Sequence, residues 1–216
     1  MFFRQEIPVG DYIDVKGANF GFATSTQSYL FTDSEAYSQP RREALLLWTP
    51  CGKVTYGVDN KFCLGGNTVE EIGFSMEICS ETSFYRNDWK SDITFAINGV
   101  DIATYTSPGD FGGIRGRLNP DWWANENSQY GTLVNVTVTS TGTAINNTAV
   151  SKVNLRDLRL DKDNRLTLTV YNKQGSKHLG GFNIFGRGFG NHEQDIVFTA
   201  KYTAAQTENK QKTLIT

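Results

Sequence analysis

A chain of 216 residues with 38% hydrophobic side chains and a formal net charge of −2 can build one substantial core, and it carries no basic field for a nucleic-acid backbone. No apolar run approaches the roughly 20 residues of a membrane-spanning helix. The opening M-F-F-R-Q-E-I-P lacks the basic and long apolar regions of a secretion signal, so a cytoplasmic location and no membrane partner are expected.

In chain order, Ser34–Leu47 is one of two stretches read as helical, and its charges form a solvated face. Strands are predicted over Ala44–Thr49, Lys53–Val58 and Glu71–Cys79 from apolar, β-branched and aromatic content. Asp92–Tyr105, D-I-T-F-A-I-N-G-V-D-I-A-T-Y, is the clearest local signal. Asn98-Gly99 between two alternating runs predicts a two-residue hairpin with a type I′ turn. That turn would pair Ile97 with Val100, Phe95 with Ile102 and Ile93 with Thr104. Further strands are predicted over Thr132–Thr139, Arg165–Tyr171, Gly181–Phe185 and Asp195–Tyr202, with Ser151–Leu160 as the second short helix. The reading is an all-β chain: one antiparallel β-sandwich over residues 1–203, of jelly-roll or galactose-binding-like type, with one or two short helices. Residues 204–216 are polar and are expected to be a disordered tail.

Catalytic and metal motifs are missing. Cys51, Cys63 and Cys79 are odd in number and lack CxxC spacing, which points to buried reduced thiols. His178 and His192 have no zinc-type spacing, and G-R-G-F-G at 186–190 has neither the spacing nor the context of a dinucleotide fingerprint. No cofactor, no metal and no enzymatic activity are therefore expected, although a carboxylate pair would be invisible in sequence.

Two segments rich in glycine and aromatics stand out: Y-T-S-P-G-D-F-G-G-I-R-G-R-L-N-P-D-W-W at 105–123 and H-L-G-G-F-N-I-F-G-R-G-F-G-N-H-E-Q-D at 178–195. Flat rings with hydrogen-bonding side chains and close backbone approach suit a sugar-like small molecule. The candidate ligand-binding residues are Trp89, Asp110, Arg115, Trp122, Trp123, His178, Asn183 and Arg187. Each has a structural alternative: core packing for the tryptophans, with at most one of Trp122 and Trp123 serving the core; loop pinning for Asp110 and Arg115; a hydrogen-bonded structural role for His178.

The strings at 89–116, 119–123, 129–131 and 178–198, above all S-P-G-D-F-G and G-G-F-N-I-F-G, resemble the C-terminal β-rich region of a bacterial family of ArsR-type transcriptional regulators. The likeness runs from about Ile7 to Tyr202 and is weak before Trp48. It implies a ligand-sensing or assembly domain of a regulator that reaches DNA only through a winged helix, which this sequence does not show. Alternatives are a free-standing carbohydrate-binding module, a pure dimerisation domain forming a homodimer, or a hydrolase.

Overall fold

The alternation in the sequence is realised as antiparallel strands in a computed structural model that describes residues 1–17, 19–37, 39–161 and 163–205. The strands are β1 Phe2–Ile7, β2 Tyr12–Gly17, β3 Phe20–Ala23, β4 Ser28–Phe31, β5 Leu46–Thr49, β6 Gly52–Asp59, β7 Thr68–Cys79 and β8 Ser91–Ile97. They continue with β9 Val100–Ser107, β10 Thr132–Thr139, β11 Thr143–Ile145, β12 Thr148–Ser151, β13 Arg165–Tyr171, β14 Phe182–Phe185 and β15 Ile196–Thr203. They form two sheets, and the molecule is an antiparallel β-sandwich. The smaller sheet runs β2-β6-β13-β8-β9. The larger runs β12-β11-β10-β7-β14-β5-β3-β4, with β15 and then β1 branching from β7.

The branch is the feature that builds the site. Along one edge β7 pairs with β10. Along the other it pairs with β15 up to Ser75 and with β14 from Glu77 onward. The chain between β14 and β15, residues 186–195, must therefore leave the sheet at the fork and loop over its outer face.

Successive strand residues point to opposite faces, so register fixes which side chains share a layer. Ile78, Ile184, Leu47 and Phe22 lie in one row across β7, β14, β5 and β3 and face the core. That core runs from Ile7 to Ala200 and joins the two sheets, with Phe74 of β7 edge-on to Phe95 of β8 at 5.3 Å between ring centroids. The neighbouring rows, Cys79–Asn183–Trp48–Gly21 and Glu77–Phe185–Leu46–Ala23, point outward. A second, smaller apolar cluster covers them, built from Ala23, Leu46, Cys79, Trp123, Phe185 and Phe189.

The structure corrects several expectations. Among the described residues neither Ser34–Leu47 nor Ser151–Leu160 is an α-helix; their helical content is the single 3₁₀ turns Asp33–Glu35, Arg41–Glu43 and Leu155–Leu158. The Glu35, Asn154 and Asp157 side chains accept from backbone amides of their own turns, closing one turn without propagating it. The 98–99 turn is as predicted, with Asn98 at φ 50° and Gly99 at φ 77°. Its register holds at Ile97–Val100 and departs beyond it, because a bulge between Phe95 and Ala96 shifts the pairing. Phe95 faces Ala103, and Ile93 faces Tyr105 instead of Thr104. Thr104 thereby meets Thr94, with their hydroxyls 3.0 Å apart. Of the cysteines only Cys79 is buried; Cys51 is exposed and Cys63 half-buried, all three as free thiols. Of the expected tail, Ala204 and Ala205 are exposed and outside any strand, and 206–216 lies outside the described residues. Among the described residues no helix is long and apolar enough to cross a membrane.

Candidate functional site

Asn183 and Trp48, from the outward row Cys79–Asn183–Trp48–Gly21, floor a cleft of about 180 Å³. Its other walls come from Glu81, Thr82, Ser83 and Phe84 after β7, from Trp123, Asn127 and Ser128 in the β9–β10 loop, and from Ser28 at the start of β4. Gly21 makes room for the floor: a Cβ there would lie 2.3 Å from the Trp48 ring, so only glycine lets the indole lie across β3.

Asn183 organises the polar side. Its Nδ2 donates to Ser80 O at 2.6 Å, to Glu81 Oε2 at 2.7 Å and to Ser128 Oγ at 3.3 Å. Asp110 lies behind, fully buried, accepting from the Thr82 backbone N–H at 3.0 Å and facing the Cys79 thiol at 3.8 Å. The Ser128 hydroxyl faces both carboxylates and lowers each of them somewhat. Burial is the main cause that pushes the Glu81 carboxyl up to about 8, with the nearby Asp110 adding to it. Burial likewise pushes Asp110 up to about 7 against its hydrogen bonds.

The aromatic side is built from Trp48, Trp123 and Phe84. Trp123 is only 6% exposed, its Nε1 donates to Ser128 O at 2.8 Å, and its ring meets Trp48 at 5.9 Å and Phe189 at 5.1 Å. Phe84 is different. It is 70% exposed on the rim and sits at φ 62°, in the left-handed region that a bulky residue enters at a cost of about 1 kcal/mol or more. No Lys, Arg or His lines the cleft. It offers ring faces, three serine hydroxyls and a threonine hydroxyl, two amides and one carboxyl, which suits an uncharged polyhydroxyl ligand better than an anion.

The sequence-predicted residues divide. Trp123 and Asn183 line the cleft and Asp110 backs it. Trp122 lies one ring outward, 38% exposed, edge-on to Trp123 at 5.5 Å, with Nε1 donating to Ser25 O at 2.8 Å; only one of the pair serves the core, as expected. Trp89 is a positioning group: its Nε1 donates to Glu81 O at 3.1 Å, and the Arg86 guanidinium lies over its ring at 4.9 Å.

Arg115, His178 and Arg187 lie outside the cleft. Arg115 donates to Trp123 O at 2.8 Å, to Asn125 Oδ1 at 3.1 Å and to Pro120 O, so it pins the 119–125 turn and does not pair with Asp110. His178 is tied to the end of β8, its backbone N–H and Nδ1 meeting the Asp92 carboxylate at 3.0 and 3.3 Å. Arg187 pairs with Glu6 on β1, on the far side of the fork. The two predicted segments do meet, through Asn119 Oδ1 accepting from Gly190 N at 2.8 Å and Trp123 against Phe189. Their meeting is a packed joint; the cleft opens beside it.

Sequence reading missed Glu81, Phe84, Trp48, Ser28, Asn127 and Ser128. For Trp48 and Asn183 a signal existed: L-L-W-T and F-N-I-F place them on the face opposite Leu47 and Ile184. A wider, shallower depression of about 420 Å³ beside β1, β6 and β13 is lined by Phe3, Arg4, Gln5, Gly57, Asp59, Asn164 and Arg165, and none of these is buried. Among the described residues no group of three or more His, Cys, Asp or Glu side chains could hold a metal ion.

No protein-family model matches the chain, and no match was found among curated proteins. Among solved structures the chain is similar to the CBM36-1 domain of a multidomain xylanase from the hindgut metagenome of Trinervitermes trinervoides, at 10% identity and a TM-score of 0.38, covering 95% of this chain and 100% of that one. It is similar to a carbohydrate-binding module CBM36 in complex with calcium and xylotriose, at 8% identity and 0.36, covering 92% and 99%. A third similarity, to the Agl-KA catalytic domain, has 8% identity and a TM-score of 0.40, covering 96% of this chain and 29% of that one. At such scores the fold assignment rests on the two sheets themselves.

Proposed function

We propose that the protein is a non-catalytic carbohydrate-binding β-sandwich whose cleft holds one unit of a neutral glycan between Phe84, Trp48 and the Glu81–Ser128–Asn183 polar wall. Phe84 carries this reading. An exposed ring on a strained backbone at the mouth of a polar cleft buries little apolar surface in the free protein, and such strain collects at ligand clamps. Binding without turnover is favoured because only one carboxylate lines the cleft. Asp110 is fully buried, whereas glycoside hydrolysis needs two carboxyls reaching the sugar. Kinship with ArsR-type regulators would make the same ligand an effector; the described residues hold no α-helix, so a winged helix would have to lie outside them.

The test is calorimetric titration with xylotriose, cellotriose, mannotriose and maltotriose. At least one is expected to bind, and Phe84→Ala is expected to weaken it about tenfold, the equivalent of roughly 50–60 Å² of apolar contact. Phe84→Gly should lose the same affinity without lowering Tm, since glycine relieves the positive φ. Failure of all four sugars, or a Phe84→Ala protein that binds like the parent, would sink the proposal.

A further inference from the structure

The hydrogen count around Glu81 and Asp110 has a consequence for what the cleft can recognise. Ser128 faces both carboxylates but owns one hydroxyl proton, so it can donate to at most one of them at a time. Asp110 has two other donors, the Thr82 N–H at 3.0 Å and the Cys79 thiol at 3.8 Å. Glu81 has Asn183 Nδ2 at 2.7 Å, an amide whose other contacts are the Ser80 carbonyl and Ser128 Oγ.

No cation compensates the pair. Among the described residues neither carboxylate is in an ion pair. Arg86, on the same loop as Glu81, turns its guanidinium over Trp89 and towards Asp88 at 3.7 Å. His178 is held by Asp92. The remaining titratable neighbours add no positive charge: Cys79 at the end of β7, which burial keeps as a thiol, and Glu77 one row below on the same face. A fully buried Asp110 and a half-buried Glu81, facing one hydroxyl and no cation, resist being ionised together near neutral pH. Asp110, with more donors and no exposure, is the one that keeps the charge.

We propose that Glu81 presents a neutral carboxylic acid to the cleft, held in that form by Asp110 across Ser128, and donates its proton to an acceptor oxygen of the bound sugar. This rests on the glycan-binding reading for its ligand but not for its proton. It makes the cleft a reader of acceptor oxygens, and it makes Glu81 a pH-dependent specificity residue with Asp110 as its positioning partner. When Glu81 ionises, the donor becomes a second acceptor in an already acceptor-rich wall, and binding should fall.

The first arm needs no sugar. Carbon-13 NMR of the free protein should show the Glu81 side-chain carboxyl titrating with a midpoint near 8. Asp110→Asn should move that midpoint several tenths of a unit or more downward, a shift that a purely structural Asp110 would not produce. A Glu81 midpoint at or below about 5 in the parent overturns the proposal. In the second arm, whichever of the four trisaccharides binds should lose about tenfold in affinity between pH 6 and pH 9, the worth of one hydrogen bond. Glu81→Gln, whatever its affinity at pH 6, should show no such decline. A parent protein with pH-independent affinity would refute the proton donation while leaving glycan binding standing. If no trisaccharide binds, the glycan-binding reading fails and the NMR midpoint alone decides the state of Glu81.

Discussion

Replacing Glu77 with alanine is expected to lower the free energy of unfolding by about 3–5 kcal/mol, the largest single effect of any side chain near the cleft. Glu77 sits where β7 changes partner from β15 to β14, and it is fully buried. Its carboxylate replaces the strand that the fork removes. Oε1 accepts from Gly131 N at 2.8 Å and Asn191 N at 2.9 Å, and Oε2 accepts from Asn191 N at 3.0 Å and His192 N at 2.7 Å. Burial pushes this carboxyl up, and the three amides pull it back. Alanine would leave all three donors without a partner and open a void beside Gly190, whose added Cβ would lie 2.5 Å from Glu77 Oε1. Glutamine should cost about 2 kcal/mol, because its NH₂ must face one of the N–H donors. The loss should also reach the cleft. The 186–195 loop carries Phe189, which backs Trp123, and Gly190, which is bonded to Asn119. Urea unfolding with tryptophan fluorescence checks both effects; equal stability of the parent and Glu77→Ala would contradict this account.

The sequence made the sheets legible wherever one face of a strand is wet. Thr132–Thr139 and Arg165–Tyr171 alternate cleanly, and their predicted limits coincide with β10 and β13. The strands it missed are of two kinds. β1 to β4 lie in stretches where polar residues interrupt the alternation, and β3 is buried on both faces, which removes the period altogether. β11 and β12 are three and four residues long, and their turn is Asn146-Asn147 with both residues at positive φ, a type I′ signal without the usual glycine.

The site was less legible for a topological reason. Composition located the loops that cover the outer face of the large sheet, which is why Trp123, Asn183 and Asp110 were found. The cleft itself depends on the rows Cys79–Asn183–Trp48–Gly21 and Glu77–Phe185–Leu46–Ala23, and each row joins strands far apart in the chain. Nothing local says that β14 inserts between β5 and β7. Glu81 and Phe84 sit in C-S-E-T-S-F-Y, a stretch with no motif, and acquire meaning only once Asp110 is placed behind one and open solvent before the other.

The same carboxylate pair should also shape the dependence of stability on pH, in the direction opposite to ordinary acid denaturation. Glu81 and Asp110 have folded values raised to about 8 and about 7, against unfolded values near the model 4.5 and 3.8. Between those limits the folded state holds protons that the unfolded state releases, so stability falls as pH rises. The contribution is fully present below about pH 4, declines through neutrality and is gone above about pH 8. At one pKa unit per roughly 1.4 kcal/mol, shifts of a little over three units each set an upper bound on the order of 10 kcal/mol for the pair across that window. Glu77 and Asp195, also raised by burial, add to the same fall, whereas other carboxylates act the other way. Glu6, Asp59, Asp92 and Asp101 are all held below their usual values, so their stabilisation is lost only as pH falls through those lowered values. In Asp92 burial works against this, and the Thr106 hydroxyl and His178 lower it more. The two trends together put maximum stability on the mildly acidic side, around pH 4.5–6, below the neutral optimum that a chain with only lowered carboxylates would show. Thermal unfolding in steps from pH 4 to pH 9 should give Tm values that fall steadily above pH 6. Glu81→Gln and Asp110→Asn should each flatten that fall, so that the gap to the parent narrows or reverses at pH 9. A parent Tm that stays level or rises from pH 6 to pH 9 would mean that the two carboxylates are compensated by a charge the structure does not contain.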